Sequence, residues 1–96
     1  MFKRHPSEIS DLLRSFLRAN GLETPWLQHR LLEQWDVVAG ETVSRYTEEK
    51  QIRNQILWVK ISSPAMRSEL QMRRTALTQQ LNDSVGAQII TDIRVY

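Results

Sequence analysis

The spacing of apolar residues changes from a helical to a strand period and back along this chain of 96 residues, and no other feature constrains the fold as strongly. Residues 56–62 alternate strictly, with Leu57, Val59 and Ile61 on one side. The helical spacing of three or four positions is found in residues 7–20, 24–39 and 63–85. A mixture of helices and strands is therefore indicated, in which the alternating strand turns one face toward the helices.

Residue types at the segment ends predict where the first helices begin and stop. Ser7 can cap the first helix, and Gly21 stands where a left-handed residue ends one. Thr24 before Pro25 predicts the start of the second helix, because proline lacks only an N–H that the first turn leaves unpaired. Gly40 is expected to end that helix, and residues 41–46 could form a further short one.

Three strands and their order give the fold class. Residues 47–52 and 56–62 are expected to form a hairpin around the turn 53–55, since asparagine tolerates a positive φ. Residues 88–96 are expected to form the third strand, with Ile89 and Ile93 on one face and Ile90 on the other. The order α-α-β-β-α-β predicts a two-layer α+β domain, with a three-stranded sheet packed against the helices.

Trp58 is the most informative single residue. Because Leu57 and Val59 must face the helices, the alternation places Trp58 on the opposite sheet face, beside Lys60 and close to Arg94 and Tyr96 of a neighbouring strand. Aromatic and cationic side chains on an open sheet face can stack the bases of a single strand. A protein interface, or a cover made by the first two helices or a second copy, explains the same residue.

The positive charges lie in particular segments, although the net charge is only +2. Residues 1–18 and 51–62 each carry a surplus of two positive charges, whereas residues 19–39 carry a deficit of two. The lysines and arginines of the positive segments could contact a phosphate backbone. They could equally form a solvated surface balanced by acids such as Glu69. The candidate residues for binding nucleic acid or a partner are Arg53, Trp58, Lys60, Arg67, Arg73 and Arg74.

No grouping of residues predicts catalysis, a cofactor or a small-molecule substrate. The chain has no cysteine, which excludes thiol nucleophiles and Cys-based metal sites. His29 and Glu33 are four residues apart on a helix, which is better explained as a solvated pair than as a metal site. Ser63 is explained as a helix cap. No apolar run is long enough for a membrane span, so we expect one cytoplasmic domain over residues 1–96 without a membrane partner.

Short stretches between Trp35 and Ile93 carry a resemblance to a known family. They are Trp35, Val38-Ala39-Gly40, Tyr46-Thr47, Ile52 to Val59, Ser62 to Leu70, Leu81-Asn82 and Ile89 to Ile93. Together they resemble the DciA-like domain, particularly its short single-domain members in Bacteroidetes. The Arg53-Asn54 turn and the helix start after Ser62 are the most specific part of the resemblance.

The resemblance implies a KH-like fold and a role in loading the replicative DNA helicase, with some affinity for DNA. The Gly-x-x-Gly loop by which KH domains clamp nucleic acid has no counterpart in the sequence. Longer family members carry a basic C-terminal extension, and this chain ends at Tyr96, so we expect residues 1–96 to be the whole KH-like domain and nothing more.

The leading hypothesis is a non-enzymatic adaptor that binds the replicative helicase and, weakly, single-stranded or forked DNA. Two alternatives stay open at this stage. One is a module that acts through protein contacts alone, and the other is a KH-like protein that binds RNA.

Overall fold

A computed structural model describes the backbone of residues 6–96 and the side chains from Asp11 onward. The elements are α1 (Pro6–Ala19), α2 (Glu23–Val38), α3 (Glu41–Arg45), β1 (Thr47–Arg53), β2 (Ile56–Ile61), α4 (Pro64–Met72), α5 (Arg74–Val85) and β3 (Asp92–Val95). The expected cap at Ser7 lies outside the described side chains. No helix in the described part of the chain is both long and apolar enough to cross a membrane.

The three strands form one mixed sheet in the order β1-β2-β3. β1 and β2 pair antiparallel as the predicted hairpin, and β3 returns parallel to β2 after α4 and α5. The hairpin turn places both Asn54 (φ 51°) and Gln55 (φ 63°) in the left-handed region, as a two-residue turn of type I′ requires. Asparagine favours this conformation and glutamine does not, and the Gln55 side chain is exposed, so a backbone contact rather than side-chain packing holds the turn. The Gln55 carbonyl accepts a hydrogen bond of 2.7 Å from the Thr91 amide.

The core lies between the helices and one face of the sheet, which confirms the predicted two-layer α+β fold. Its most buried side chains are Leu31, Trp35, Leu57, Val59, Ile61, Leu70, Leu77, Leu81, Ile90 and Ile93. Trp35 is fully buried, and its indole N–H donates to the Thr47 hydroxyl at 3.0 Å. The Thr47 hydroxyl in turn donates to the Val43 carbonyl at 2.8 Å, so α2, α3 and β1 are joined by one chain of hydrogen bonds.

The boundary between α1 and α2 confirms one predicted signal and corrects another. Gly21 is left-handed (φ 70°), and the Leu22 amide donates to the Leu17 carbonyl at 2.8 Å, as in a Schellman motif. The predicted cap at Thr24 is wrong, because α2 already begins at Glu23 and has no side-chain cap. Glu23 pairs with Arg18 at 2.9 Å, and a carboxylate in the first turn also suits the helix dipole.

The helix expected over residues 63–85 is two helices. Ser63 caps the first as predicted, its hydroxyl accepting from the Met66 amide at 3.3 Å. The helix breaks at Arg73 (φ −97°, ψ 4°), where no glycine or proline marks the position. α4 contacts β2 and β3, whereas α5 contacts α2 and β3. The two helices therefore pack against different elements. This tertiary packing breaks the helix at Arg73, although the apolar spacing in the sequence is continuous.

The third strand is shorter than predicted, and its expected alternation is wrong at Ile90. Only Asp92–Val95 form β3, and Ile90 and Ile93 are both buried in the core. The segment before β3 is held by the side chain of Asn82. Its oxygen accepts from the amides of Ile89 (3.0 Å) and Ile90 (3.1 Å), and its amide donates to the Ile90 carbonyl at 2.8 Å. These bonds take the place of pairing with a neighbouring strand. Residues 88–91 therefore lack the alternation of buried and exposed side chains that a strand would show.

Candidate nucleic-acid interface

The sheet face opposite the helices carries Trp58, as the alternation predicts. Leu57 and Val59 are fully buried on the helical side, and Trp58 is half-buried outside the hydrophobic core. The register places Trp58 beside Gln51 of β1 and Arg94 of β3. The residues that share this face are Glu49, Gln51, Arg53, Ile56, Trp58, Lys60, Asp92, Arg94 and Tyr96. We call it the open face.

Two side chains of the open face contact the Trp58 indole. The guanidinium of Arg53 lies over the ring, 5.1 Å from its centroid, and Tyr96 meets it edge-on at 6.3 Å with an interplanar angle of 69°. The described parts of α1 and α2 lie in the helical layer, on the side of the sheet away from Trp58. They therefore do not cover Trp58, which was one of the explanations that the sequence left open. A guanidinium that lies over an indole presents its other face outward, where a nucleobase can stack.

Three arginines converge at the hairpin end of the open face. The Asp92 carboxylate forms ion pairs with Arg74, whose Nε lies at 3.1 Å, and with Arg94, whose Nε lies at 3.3 Å. In the sheet, Asp92 lies beside Ile56, which in turn lies beside Arg53. Arg53 and Arg94 come from the sheet and Arg74 from the start of α5, so positive charges from three elements lie at this end of the face, and two of them, Arg74 and Arg94, contact the Asp92 carboxylate. We call this arrangement the arginine cluster.

The surface next to the arginine cluster is accessible. Arg73 precedes Arg74 at the junction of α4 and α5 and is exposed, with no ion pair among the described side chains. A shallow depression adjoins the cluster and is lined by Arg53, Asn54, Ile56 and Trp58. A flat ring or a sugar could lie there, within reach of both the indole and the guanidinium groups.

The opposite end of the open face is electrically balanced. Lys60 lies 3.6 Å from the Glu48 carboxylate, and the Tyr96 hydroxyl donates to Glu49 at 3.5 Å. An anionic ligand would meet two carboxylates there for one lysine. Positive potential on this face is therefore concentrated at the hairpin end.

The structure brings most of the predicted binding residues together and separates one of them. Arg53, Trp58 and Lys60 lie on the open face, while Arg74 and Arg73 lie at its hairpin edge. Arg67 lies on α4 in the helical layer, where its guanidinium donates to the Ile61 carbonyl and ties α4 to the end of β2. The part of all six residues in binding, Arg67 included, stays a prediction.

Arg94 is absent from the residues predicted to bind, although it lies beside Trp58 and joins the arginine cluster. The alternation of the last residues already indicated its face. The sequence did not indicate that Asp92 would join Arg94 to Arg74, because that contact depends on where α5 begins.

His29 and Glu33 form the expected exposed pair, 3.1 Å apart. Among the residues with described side chains, no group of three His, Cys, Asp or Glu residues is arranged to hold a metal ion.

Comparisons with known proteins agree with the resemblance seen in the sequence. The family model described as "Dna[CI] antecedent, DciA" matches residues 8–95. A curated relative, a UPF0232 protein of Corynebacterium glutamicum (strain R), is 26% identical over 62 residues. That match covers 65% of this chain and 35% of the relative, so the chain corresponds to about a third of the relative's length.

Proposed function

The chain belongs to the DciA family, and on that premise we propose that it is a cytoplasmic, non-enzymatic adaptor that helps to load the replicative DNA helicase. The observation that carries the proposal is the family match over residues 8–95, which includes every described strand and both helices of the crossover. We further propose that the adaptor binds single-stranded or forked DNA weakly, through the open face and the arginine cluster.

The open face supports the DNA part of the proposal with two kinds of contact. Trp58 and the Arg53 guanidinium stacked on it offer flat surfaces for bases. Arg74 and Arg94, with Arg73 beside them, offer charges for phosphates at one end of the same surface. Strand recognition would thus proceed from phosphates at the hairpin end to a base at Trp58, without the Gly-x-x-Gly loop of KH domains.

The same geometry predicts that DNA binding is weak. A phosphate that approaches Arg74 or Arg94 competes with the Asp92 carboxylate, which already contacts both. The chain also has a net charge of only +2, so long-range attraction adds little. Replacing Asp92 with asparagine removes the competing charge, and it should therefore tighten binding.

Binding to a fluorescent oligothymidylate, followed by anisotropy, tests the DNA part. Trp58→Ala should weaken binding by about 5-fold or more, since stacking contributes about 1–3 kcal/mol per base. Arg73→Ala with Arg74→Ala should reduce the slope of log Kd against log salt by about 0.7 for each phosphate that the two arginines neutralise in the wild type.

Arg45→Ala is the matched control, because it removes an exposed arginine that pairs with Glu41 on α3. It should leave both the affinity and the salt slope nearly unchanged. A flat salt dependence in the wild type, or equal effects of Trp58→Ala and Arg45→Ala, would refute DNA binding on the open face.

The helicase part is tested by size-exclusion chromatography of this protein with the purified replicative helicase from the same organism. We expect the two to co-migrate as one complex. Separate elution at micromolar concentrations of both proteins would contradict the adaptor role.

A module that acts through protein contacts alone is the second candidate function. It is favoured by one observation, namely that Lys60, Arg74 and Arg94 on or beside the open face already contact carboxylates. Co-migration with the helicase together with no measurable oligonucleotide binding would select this candidate. The same titration with an RNA oligomer of equal length separates DNA from RNA binding.

A further inference from the structure

Helix α1 exposes an apolar ridge that no other element in the described part of the chain covers. The exposed fractions are 53% for Leu12, 42% for Leu13 and 61% for Phe16. In the sequence these positions continue from Ile9 with the spacing i, i+3, i+4, i+7, which is the anchor spacing of helices that insert into grooves of other proteins. We call Leu12, Leu13 and Phe16 the α1 ridge.

Contacts made by Leu17 and Arg14 along one flank of α1 fix the direction in which the ridge points. Leu17 is buried, and Arg14 Nη2 donates to the Val85 carbonyl at the end of α5 at 3.0 Å. The left-handed Gly21 and the Leu22 amide then hold the C-terminal end of the helix against the start of α2. These contacts attach α1 along one side, so the ridge faces outward.

The area of the α1 ridge argues against a second copy as its partner. Three side chains exposed to this degree present on the order of 300 Å² of apolar surface. A stable interface needs about 800 Å² from each partner. Two identical ridges would meet along a line and bury only part of their area, whereas a concave groove also encloses the flanks of the helix.

The charges around the α1 ridge argue against a membrane surface. Helices that lie in anionic membranes carry free Lys and Arg on their polar face. Here Arg14 is bound to the Val85 carbonyl and Arg18 pairs with Glu23 at 2.9 Å. Ser15 and Ala19 flank the ridge without charge, and the exposed Asp11 before Leu12 is negative. The surface around the ridge therefore does not attract an anionic membrane, and the ridge itself is complementary to an apolar groove.

We propose that the α1 ridge is the element by which this protein docks into an apolar groove of the replicative helicase, an inference that rests on the proposed adaptor function. The open face lies on the sheet and the arginine cluster at its hairpin edge, where α5 begins, whereas α1 lies on the helical side against α2 and the opposite end of α5. One protein could therefore hold the helicase through α1 while the sheet remains available to DNA.

The test compares two double variants for helicase affinity by biolayer interferometry. Leu13→Ala with Phe16→Ala removes two anchors and keeps the helix, since alanine has the highest helix propensity. Val37→Ala with Met72→Ala is the matched control, because it removes two apolar side chains that are 73% and 88% exposed outside α1. Each anchor at an interface centre is expected to contribute more than about 1 kcal/mol, so the ridge variant should bind at least about 10-fold more weakly. The control should stay within about 2-fold of the wild type.

Thermal melting and oligonucleotide affinity, both expected to stay close to wild type, show that the ridge variant is folded. If it melts early, Leu12→Ala alone gives the same comparison with a smaller perturbation.

Several outcomes would overturn the docking proposal, and they separate it from the adaptor function. If the wild type binds helicase and the ridge variant binds equally well, the docking proposal is wrong and the adaptor function stands. If the wild type does not bind helicase, the adaptor function fails and the docking proposal fails with it. A wild-type dimer that the ridge variant converts to a monomer would identify a second copy as the occupant. Wild-type binding to phosphatidylserine-containing vesicles, abolished in the ridge variant, would identify a membrane.

Discussion

Replacing Asn82 with alanine should be among the most destabilising changes of a polar residue in this protein. The Asn82 side chain accepts from the amides of Ile89 and Ile90 and donates to the Ile90 carbonyl, at 2.8 to 3.1 Å. Alanine leaves these three backbone groups without partners beside the fully buried Ile90 side chain. At about 1 kcal/mol for each bond, the free energy of unfolding should fall by about 3 kcal/mol. In a domain of this size each kcal/mol shifts Tm by about 4–8 °C, so a drop of about 12–24 °C is expected.

Urea denaturation followed by circular dichroism measures the change in the free energy of unfolding. Asn82→Asp keeps both acceptor bonds and loses only the donor, so it should lose about 1–2 kcal/mol. Gln79→Ala is the control one turn earlier, because Gln79 makes an exposed bond to Asp83 that contributes only a few tenths of a kcal/mol. If Asn82→Ala costs no more than Gln79→Ala, the side chain does not hold the segment before β3, and the explanation for the short strand is wrong.

Two other substitutions test the side-chain contacts that attach β1 to the helices. Thr47→Val keeps the shape of the side chain and removes the hydroxyl that accepts from Trp35 and donates to the Val43 carbonyl, so it should cost about 1–3 kcal/mol in urea denaturation. An unchanged midpoint would contradict the role of these bonds. The hydroxyl of Ser44, and after it the ammonium of Lys50, hold the pKa of Asp36 below its usual value. The ionised Asp36 carboxylate therefore stabilises the fold at neutral pH, and this contribution is lost as the pH falls through its lowered pKa. Asp36→Asn should be slightly less stable than the wild type at pH 7 and equal to it in strong acid, whereas a gap that widens in acid would contradict the assignment.

The sequence was sufficient where local pattern and tertiary packing agree. Alternation over Ile56–Ile61 predicted which face of β2 is buried, and so it correctly placed Trp58 and Lys60 on the open face. Asn54 predicted the hairpin turn because its side chain tolerates a positive φ. The glycine at position 21 predicted the end of α1 for the same conformational reason.

The sequence was insufficient where a contact depends on distant elements. The break at Arg73 has no local signal, since α4 and α5 separate only because one packs on the sheet and the other also packs on α2. Ile90 was assigned to the wrong face because the Asn82 side chain, rather than a neighbouring strand, bonds its backbone. The arginine cluster depends on the helix break, because Arg74 reaches Asp92 from the start of α5.

Loading of the helicase onto DNA tests the central claim most directly. The replicative helicase of the same organism is mixed with a forked or circular single-stranded DNA substrate, and the rate of ATP-dependent unwinding is measured with and without this protein. The adaptor function predicts that substoichiometric to equimolar amounts of the wild type raise the initial rate, and that the Leu13→Ala with Phe16→Ala variant raises it far less. An initial rate that is the same with and without the wild-type protein, at concentrations where the helicase is limiting, would contradict the adaptor function.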